Sequence, residues 1–116
     1  MTDRTLARPG AALISELDNH GSREVSVAVA NSGIVANDVV VKDGATYRLP
    51  VPGDFDEAPI MASAAIALDK PDARRRFVRI ERLAQIKDVK INWPADAALK
   101  AALIAGLAAK TIIVRA

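Results

Sequence analysis

The chain has 116 residues, a formal net charge of +2, 51% hydrophobic residues and only 3% aromatics. That length suits one domain able to bury about 65% of the surface its unfolded form exposes, so a core of Ala, Val, Ile and Leu needs no covalent staples. The absence of cysteine excludes disulfides, thiolate metal sites and cysteine nucleophiles.

No apolar run approaches the ~18 residues of a membrane span, and "MTDRTLARPG" lacks a signal peptide's apolar stretch. The expectation is a soluble protein that does not engage a membrane. The charge is unevenly spread. Residues 1–69 carry 5 basic and 10 acidic groups, residues 70–90 carry 8 and 3, and residues 91–116 carry 3 and 1. Such polarity suits a protein that docks on another surface.

In chain order, residues 1–23 contain Pro9, Gly10 and Gly21 and lack a sustained period. Leu13, Ile14 and Leu17 fall at helical spacing, which predicts one short helical turn. Next, "REVSVAVANSG" alternates Val25, Val27 and Val29 against Glu24, Ser26 and Ala28, the period-two pattern of a half-buried strand. Asn31, Ser32 and Gly33 end it as a turn. "IVANDVVVKDGATYRLPVPG" predicts a second and third strand joined by a hairpin turn at Asp43-Gly44. "DFDEAP" is a polar loop, and "IMASAAIAL" (60–68) reads as a buried strand, because Pro59 and "DKPD" leave little room for a helix. "RRRFVRI" alternates again, with Phe77 and Arg79 on one face and Val78 and Ile80 on the other, and "LAQIKDVKI" continues extended. A helix follows over 95–109, with Pro94 at its first position and an apolar stripe of Leu99, Ala102, Leu103, Gly106 and Leu107. "TIIVR" closes the chain as a strand. The fold class is mostly β with one C-terminal α-helix.

Catalytic and metal chemistry lacks candidates in this pattern. His20 is the single histidine and stands in a polar stretch. Without a second His or any Cys, a transition-metal site would have to rest on carboxylates. "DFDE" lacks the glycine and distant glutamate of a calcium loop and reads as solvated. The glycines are scattered singly, so no phosphate-binding loop forms, and no serine has an elbow motif around it. The expectation is a protein that is not an enzyme and has no cofactor and no metal. Arg74, Arg75, Arg76, Arg79 and Arg82 could contact phosphates, which makes a small basic nucleic-acid-binding protein the alternative. Alternation sends these arginines to both strand faces, however, and only Phe77 could stack on a base, so carboxylate-paired arginines and no nucleic acid are expected.

The C-terminal third resembles the phage lambda-type head decoration protein family. Its pieces are Arg82-Leu83-Ala84-Gln85-Ile86, Ile91-Asn92-Trp93-Pro94, the alanine-rich helix and Ile112-Ile113-Val114-Arg115. Ser22-Arg23-Glu24 at the head of the valine-rich strand is similar to the family's "SRE" segment, and "AIALDKPDARRRFVRI" stands where the family has a strand–turn–strand. Ala36-Asn37-Asp38-Val39-Val40-Val41 departs from the family's Ala-Gly-Thr-Val-Leu-Gly.

The resemblance implies a β-clip-like small domain and a homotrimer, formed in solution or only on the capsid by chains monomeric when free, that binds the expanded capsid at local three-fold positions. The partner would be the major capsid protein of the same phage. The protein would be made in the host cytoplasm and sit on the outer surface of the virion head as a cement protein. It further implies an N-terminal capsid-docking arm over 1–23, mobile in its first residues when free, followed by the decoration domain over 24–116. Leu6, Arg8, Leu13 and Ile14 are the expected capsid-contacting residues of that arm. Trp93 and Pro94 are the expected structural anchor, with Trp93 as a large apolar group among small aliphatics.

Overall fold

A computed structural model of the protein describes residues 13–16, 23–82 and 84–115. Among these residues, eight strands and two α-helices follow in the order β1 (Leu13–Glu16), β2 (Arg23–Val27), β3 (Val39–Asp43), β4 (Thr46–Arg48), α1 (Ala58–Ala62), β5 (Ala65–Ala67), β6 (Arg76–Ile80), β7 (Ala84–Lys87), α2 (Ala97–Ala109) and β8 (Ile112–Arg115). The mostly β class with one substantial C-terminal helix is what the sequence predicts.

The strands form two sheets. Five of them pair antiparallel in the order β2-β6-β5-β3-β4. Beyond β2, the chain returns to the far edge: Ala28 bridges Tyr47, and the Val29 N–H donates to the Tyr47 carbonyl at 2.8 Å. The five-stranded sheet therefore curls toward closure. The other sheet has the order β1-β7-β8, with β1 antiparallel and β8 parallel to β7. Parallel neighbours cannot be joined by a tight turn, and α2 provides the crossover between them.

Alternation in the five-stranded sheet sends side chains into two separate cores. Val39, Val41, Ile66 and Ile80 point to the side covered by α2 and β7, where Leu99, Leu103, Leu107 and Ile86 meet them. Val40, Ala65, Ala67 and Phe77 point the other way, into a smaller core with Ala28, Ile34 and Tyr47. The larger core is aliphatic apart from Trp93 packed against it. Two of the scarce aromatics instead fill the smaller core, where the Tyr47 and Phe77 rings meet edge to face, centroids 6.2 Å apart.

Local signals explain most of the elements. The hairpin turn between β3 and β4 has Gly44 at φ 65°, a conformation open to glycine at little cost. In α2 the buried side chains are Leu99, Leu103 and Leu107 along with Gly106, matching the expected stripe. Gly106 is there for closeness: a Cβ would collide with the backbone carbonyl of Met61 in α1.

Four expectations need correction. The start of α2 is set by Asp96, whose Oδ1 accepts from the Leu99 N–H at 2.9 Å; Pro94 precedes this cap and is not the first helical residue. Residues 60–68 divide into the end of short α1 and the three-residue β5, because Pro59 can open a helical turn and Ile66 is then captured between Val39 and Ile80. Leu13–Glu16 is strand rather than helical turn, paired with β7 across a bulge between Leu13 and Ser15. So short a helix lacks the length to offset its nucleation cost, whereas the open edge of β7 satisfies backbone groups directly. Finally, "LAQIKDVKI" stays extended only to Lys87 and then makes a 3-10 turn over Asp88–Lys90.

β2 holds a further surprise. Its alternation is genuine, yet the buried members are Ser26 and Ala28, while Val25 and Val27 are 69% and 36% exposed. The valine side of β2 continues the face that α2 covers elsewhere, since Val25 is opposite Val78 and Arg23 opposite Ile80. The cover ends before reaching it.

Candidate functional site

Three places on this fold bear the expected functional and anchoring residues. The first surrounds Trp93. Asn37, in the left-handed region at φ 72°, leads into β3, and its carbonyl accepts from the Asn92 N–H at 3.0 Å. Asn92 then reaches with Nδ2 to Asp38 Oδ1 at 2.9 Å and the Ala36 carbonyl at 3.2 Å. These bonds hold the Trp-Pro segment against the start of β3. Trp93 is half-buried at the rim of the larger core; its Nε1–H donates to Asp88 Oδ1 at 2.7 Å and to the Asp88 carbonyl at 3.1 Å. Lys100 from α2 places its ammonium 5.3 Å from the ring centroid and 3.5 Å from Asp88 Oδ1. Trp93 thus ties the 3-10 turn, α2 and the core together. Pro94 lines a neighbouring cleft of about 140 Å³ with Trp93, Asn92, Asp38, Val39, Leu49 and Pro50.

The second place is the basic strand. Arg79 donates to Glu81 at 2.6 Å and stands 4.7 Å from the Tyr47 ring centroid. Glu81 also receives Lys110 at 2.9 Å, so one carboxylate serves two cations. Burial pushes the Lys110 ammonium below its ordinary value, with Glu81 opposing that shift. Burial likewise pushes the Tyr47 phenol up, with the Arg79 charge opposing it. Arg82 donates to Glu24 of β2 at 2.8 Å, and the hydrogen bond and charge of Arg82 hold the Glu24 carboxyl below the usual range. Arg76 lies 3.4 Å from Asp72. Carboxylate pairing therefore occupies Arg76, Arg79 and Arg82. Arg74 and Arg75 stay exposed in the turn before β6.

The third place is the expected arm. Leu6 and Arg8 lie outside the described residues, as does His20. Leu13 and Ile14 fall in β1, the outer strand of the three-stranded sheet. Residues 13–16 are thus paired with β7.

Sequence reasoning also missed an ion pair. Asp54, assigned to a solvated loop, is 4% exposed and accepts both Arg48 guanidinium nitrogens, at 2.7 and 2.9 Å. The Val51 N–H adds a third hydrogen bond at 2.9 Å. The Arg48 hydrogen bonds, more than offsetting burial, hold the Asp54 carboxyl below its ordinary value. The spacing of Arg48 and Asp54 across two prolines was the available signal; neighbouring Asp56 and Glu57, which are exposed, masked it.

The sequence matches the family of the bacteriophage lambda head decoration protein D over residues 4–112. The chain belongs to that family. The match takes in strands of both sheets and ends at the first residue of β8. No individual curated protein and no solved structure matches the chain. Membership in a head decoration family gives the protein a structural role on the phage capsid, and the expected place of that role is the virion surface.

Proposed function

We propose that this head decoration protein is a non-catalytic cement. As a homotrimer it binds the expanded capsid at local three-fold positions and clamps neighbouring copies of the major capsid protein on the outer surface of the head, after synthesis in the host cytoplasm. The family match over 4–112 carries this reading. Such work needs area, repetition and rigid shape. Three linked weak contacts can gain on the order of 10²–10⁴ in avidity without any one being strong.

The docking element in this proposal is the N-terminal arm. Residues 1–12 contain few large apolar groups and two breakers, Pro9 and Gly10, so ordering them alone costs about 1–2 kcal/mol per residue with little burial in return. A capsid surface that pairs with the arm offsets this cost through strand addition. β1 supports the idea by standing at an outer edge, with Leu13 and Ile14 next to the segment that holds Leu6 and Arg8. Deleting residues 2–12 is the test. The expected outcome is unchanged thermal stability and self-association with loss of co-sedimentation on expanded capsids. Unchanged capsid binding overturns the arm's role.

A further inference from the structure

Two surfaces of the chain pair exposed apolar side chains with charges of opposite sign. The first is loop 51–57. The bidentate bond of Arg48 to the buried Asp54 carboxylate and the Val51–Asp54 hydrogen bond fix its backbone. On that fixed frame Val51 is 50% and Phe55 47% exposed, flanked by exposed Asp56 and Glu57. A loop that served only as a connection has no need of a bidentate ion pair on a buried carboxylate to hold a phenylalanine in water.

The second surface is the valine face of β2 with the turn ahead of β6. Val25 and Val27 are exposed there, and Val27 is opposite Arg76 in register. Arg74 and Arg75 stand exposed beside that strand end, where the Arg75 carbonyl accepts from the Ala28 N–H at 2.7 Å. The turn is also tightly built: Asp72 Oδ1 accepts from the Arg74 and Arg76 N–H groups at 2.8 and 2.9 Å. Arg75 adopts φ 64°, a conformation that glycine or asparagine would hold more cheaply. An arginine stands where the backbone favours glycine or asparagine. End strands are usually protected by charged side chains, and the open side of β2 has one, Arg23, beside the two bare valines.

We propose that loop 51–57 of one copy docks on the β2 face and the Arg74–Arg75 turn of a second copy. Phe55 and Val51 meet Val25 and Val27, while Asp56 and Glu57 meet Arg74 and Arg75. The charge complementarity of two apolar patches on one chain selects a second copy over other occupants. Because the two patches differ, the contact is head-to-tail, and such contacts make rings when the rotation closes. The proposal rests on the homotrimer reading and supplies its interface.

The natural chain has no cysteine, which makes cross-linking clean. The double variant Val25→Cys/Phe55→Cys, treated with a short bis-maleimide, should give a closed covalent ring of three. Either single variant should give no species beyond dimer. Reversing Asp56→Lys/Glu57→Lys should weaken self-association roughly a hundredfold, as should Arg74→Glu/Arg75→Glu, and combining all four should restore it. All four side chains are exposed, so the far-UV circular dichroism spectrum of each variant should match wild type and report an intact fold, while its thermal midpoint falls only as far as lost association requires.

Absence of the ring product, or reversals that leave self-association intact, overturns the proposal. If the reversals weaken only capsid binding, the patches belong to the capsid protein and the proposal is also wrong. Capsid binding measured in parallel separates the two readings. Binding retained without this interface leaves the cement role standing, whereas binding lost by the wild-type chain removes that role itself.

Discussion

The same sheet face is treated in two ways along its width. Over β3, β5 and β6 it lies under α2 and β7, and its Val39, Val41, Ile66 and Ile80 are fully enclosed. At β2, one strand further, Val25 and Val27 meet solvent. The apolar pattern is equally good in both regions. What differs is reach: α2, held close to α1 at Gly106 and Met61, sets Leu99, Leu103 and Leu107 against β3, β5 and β6, and neither Val25 nor Val27 joins that cluster. Hydrophobic alternation therefore marks a face that wants cover without saying whether this chain or another one covers it.

Substitutions sharpen that contrast, and the largest effect belongs to the covered side. Gly106→Ala places a methyl group against the Met61 carbonyl, and α1 and α2 must separate. Thermal or urea unfolding should show a loss of about 3 kcal/mol, the upper end for overpacking. A loss under about 1 kcal/mol would mean that the covering helix is free to shift and that its reach is not fixed at this point.

On the open side the largest effect should come from the ion pair under loop 51–57. Asp54→Asn removes charge from the Arg48 contact and should cost about 2 kcal/mol at pH 7. The pH dependence follows from the depressed folded-state value of Asp54, set mainly by the Arg48 hydrogen bonds. A carboxyl with a folded pKa below its unfolded value of about 3.9 stabilises fully above that value and loses the stabilisation as pH falls through the folded one. Wild type and Asp54→Asn should thus stay equally far apart from pH 7 down to about 5 and converge below about pH 4. A gap that persists into strong acid would show that packing, not ionisation, holds the loop.

A smaller effect, of opposite sign, is expected at the end of α2. Thr111 has φ 59° just past the helix, where a β-branched residue is costly and glycine is at ease. Thr111→Gly should stabilise by about 1 kcal/mol, read as a higher midpoint in urea at unchanged slope. The smallest effect belongs to the bare valines. Val25→Thr should change the monomer's stability by less than about 0.5 kcal/mol, because Val25 stays 69% exposed in the folded chain. A cost near that of a core valine would show that the β2 face is covered within the chain.

The sequence by itself determined the strands with strong periods, the hairpin at Asp43-Gly44, the α2 stripe and, through Trp93-Pro94 and its neighbours, the family. These are local quantities: a side-chain period, a turn residue, a short string in order. It went astray at Leu13–Glu16, at 60–68 and at Pro94, where weak local preferences were overruled by an open strand edge, by capture between Val39 and Ile80, and by the Asp96 cap. It was silent on the bond of Asn92 to Asp38, on the Arg48–Asp54 pair beneath loop 51–57, and on the partners of Arg79 and Arg82. Which arginine finds a carboxylate and which valine finds cover depends on distances between segments that the chain order leaves undefined. Only the packing of α2 and the curl of the sheet set those distances. That packing decided that Ser26 is buried, that Val25 is bare, and that Phe55 is held out in water.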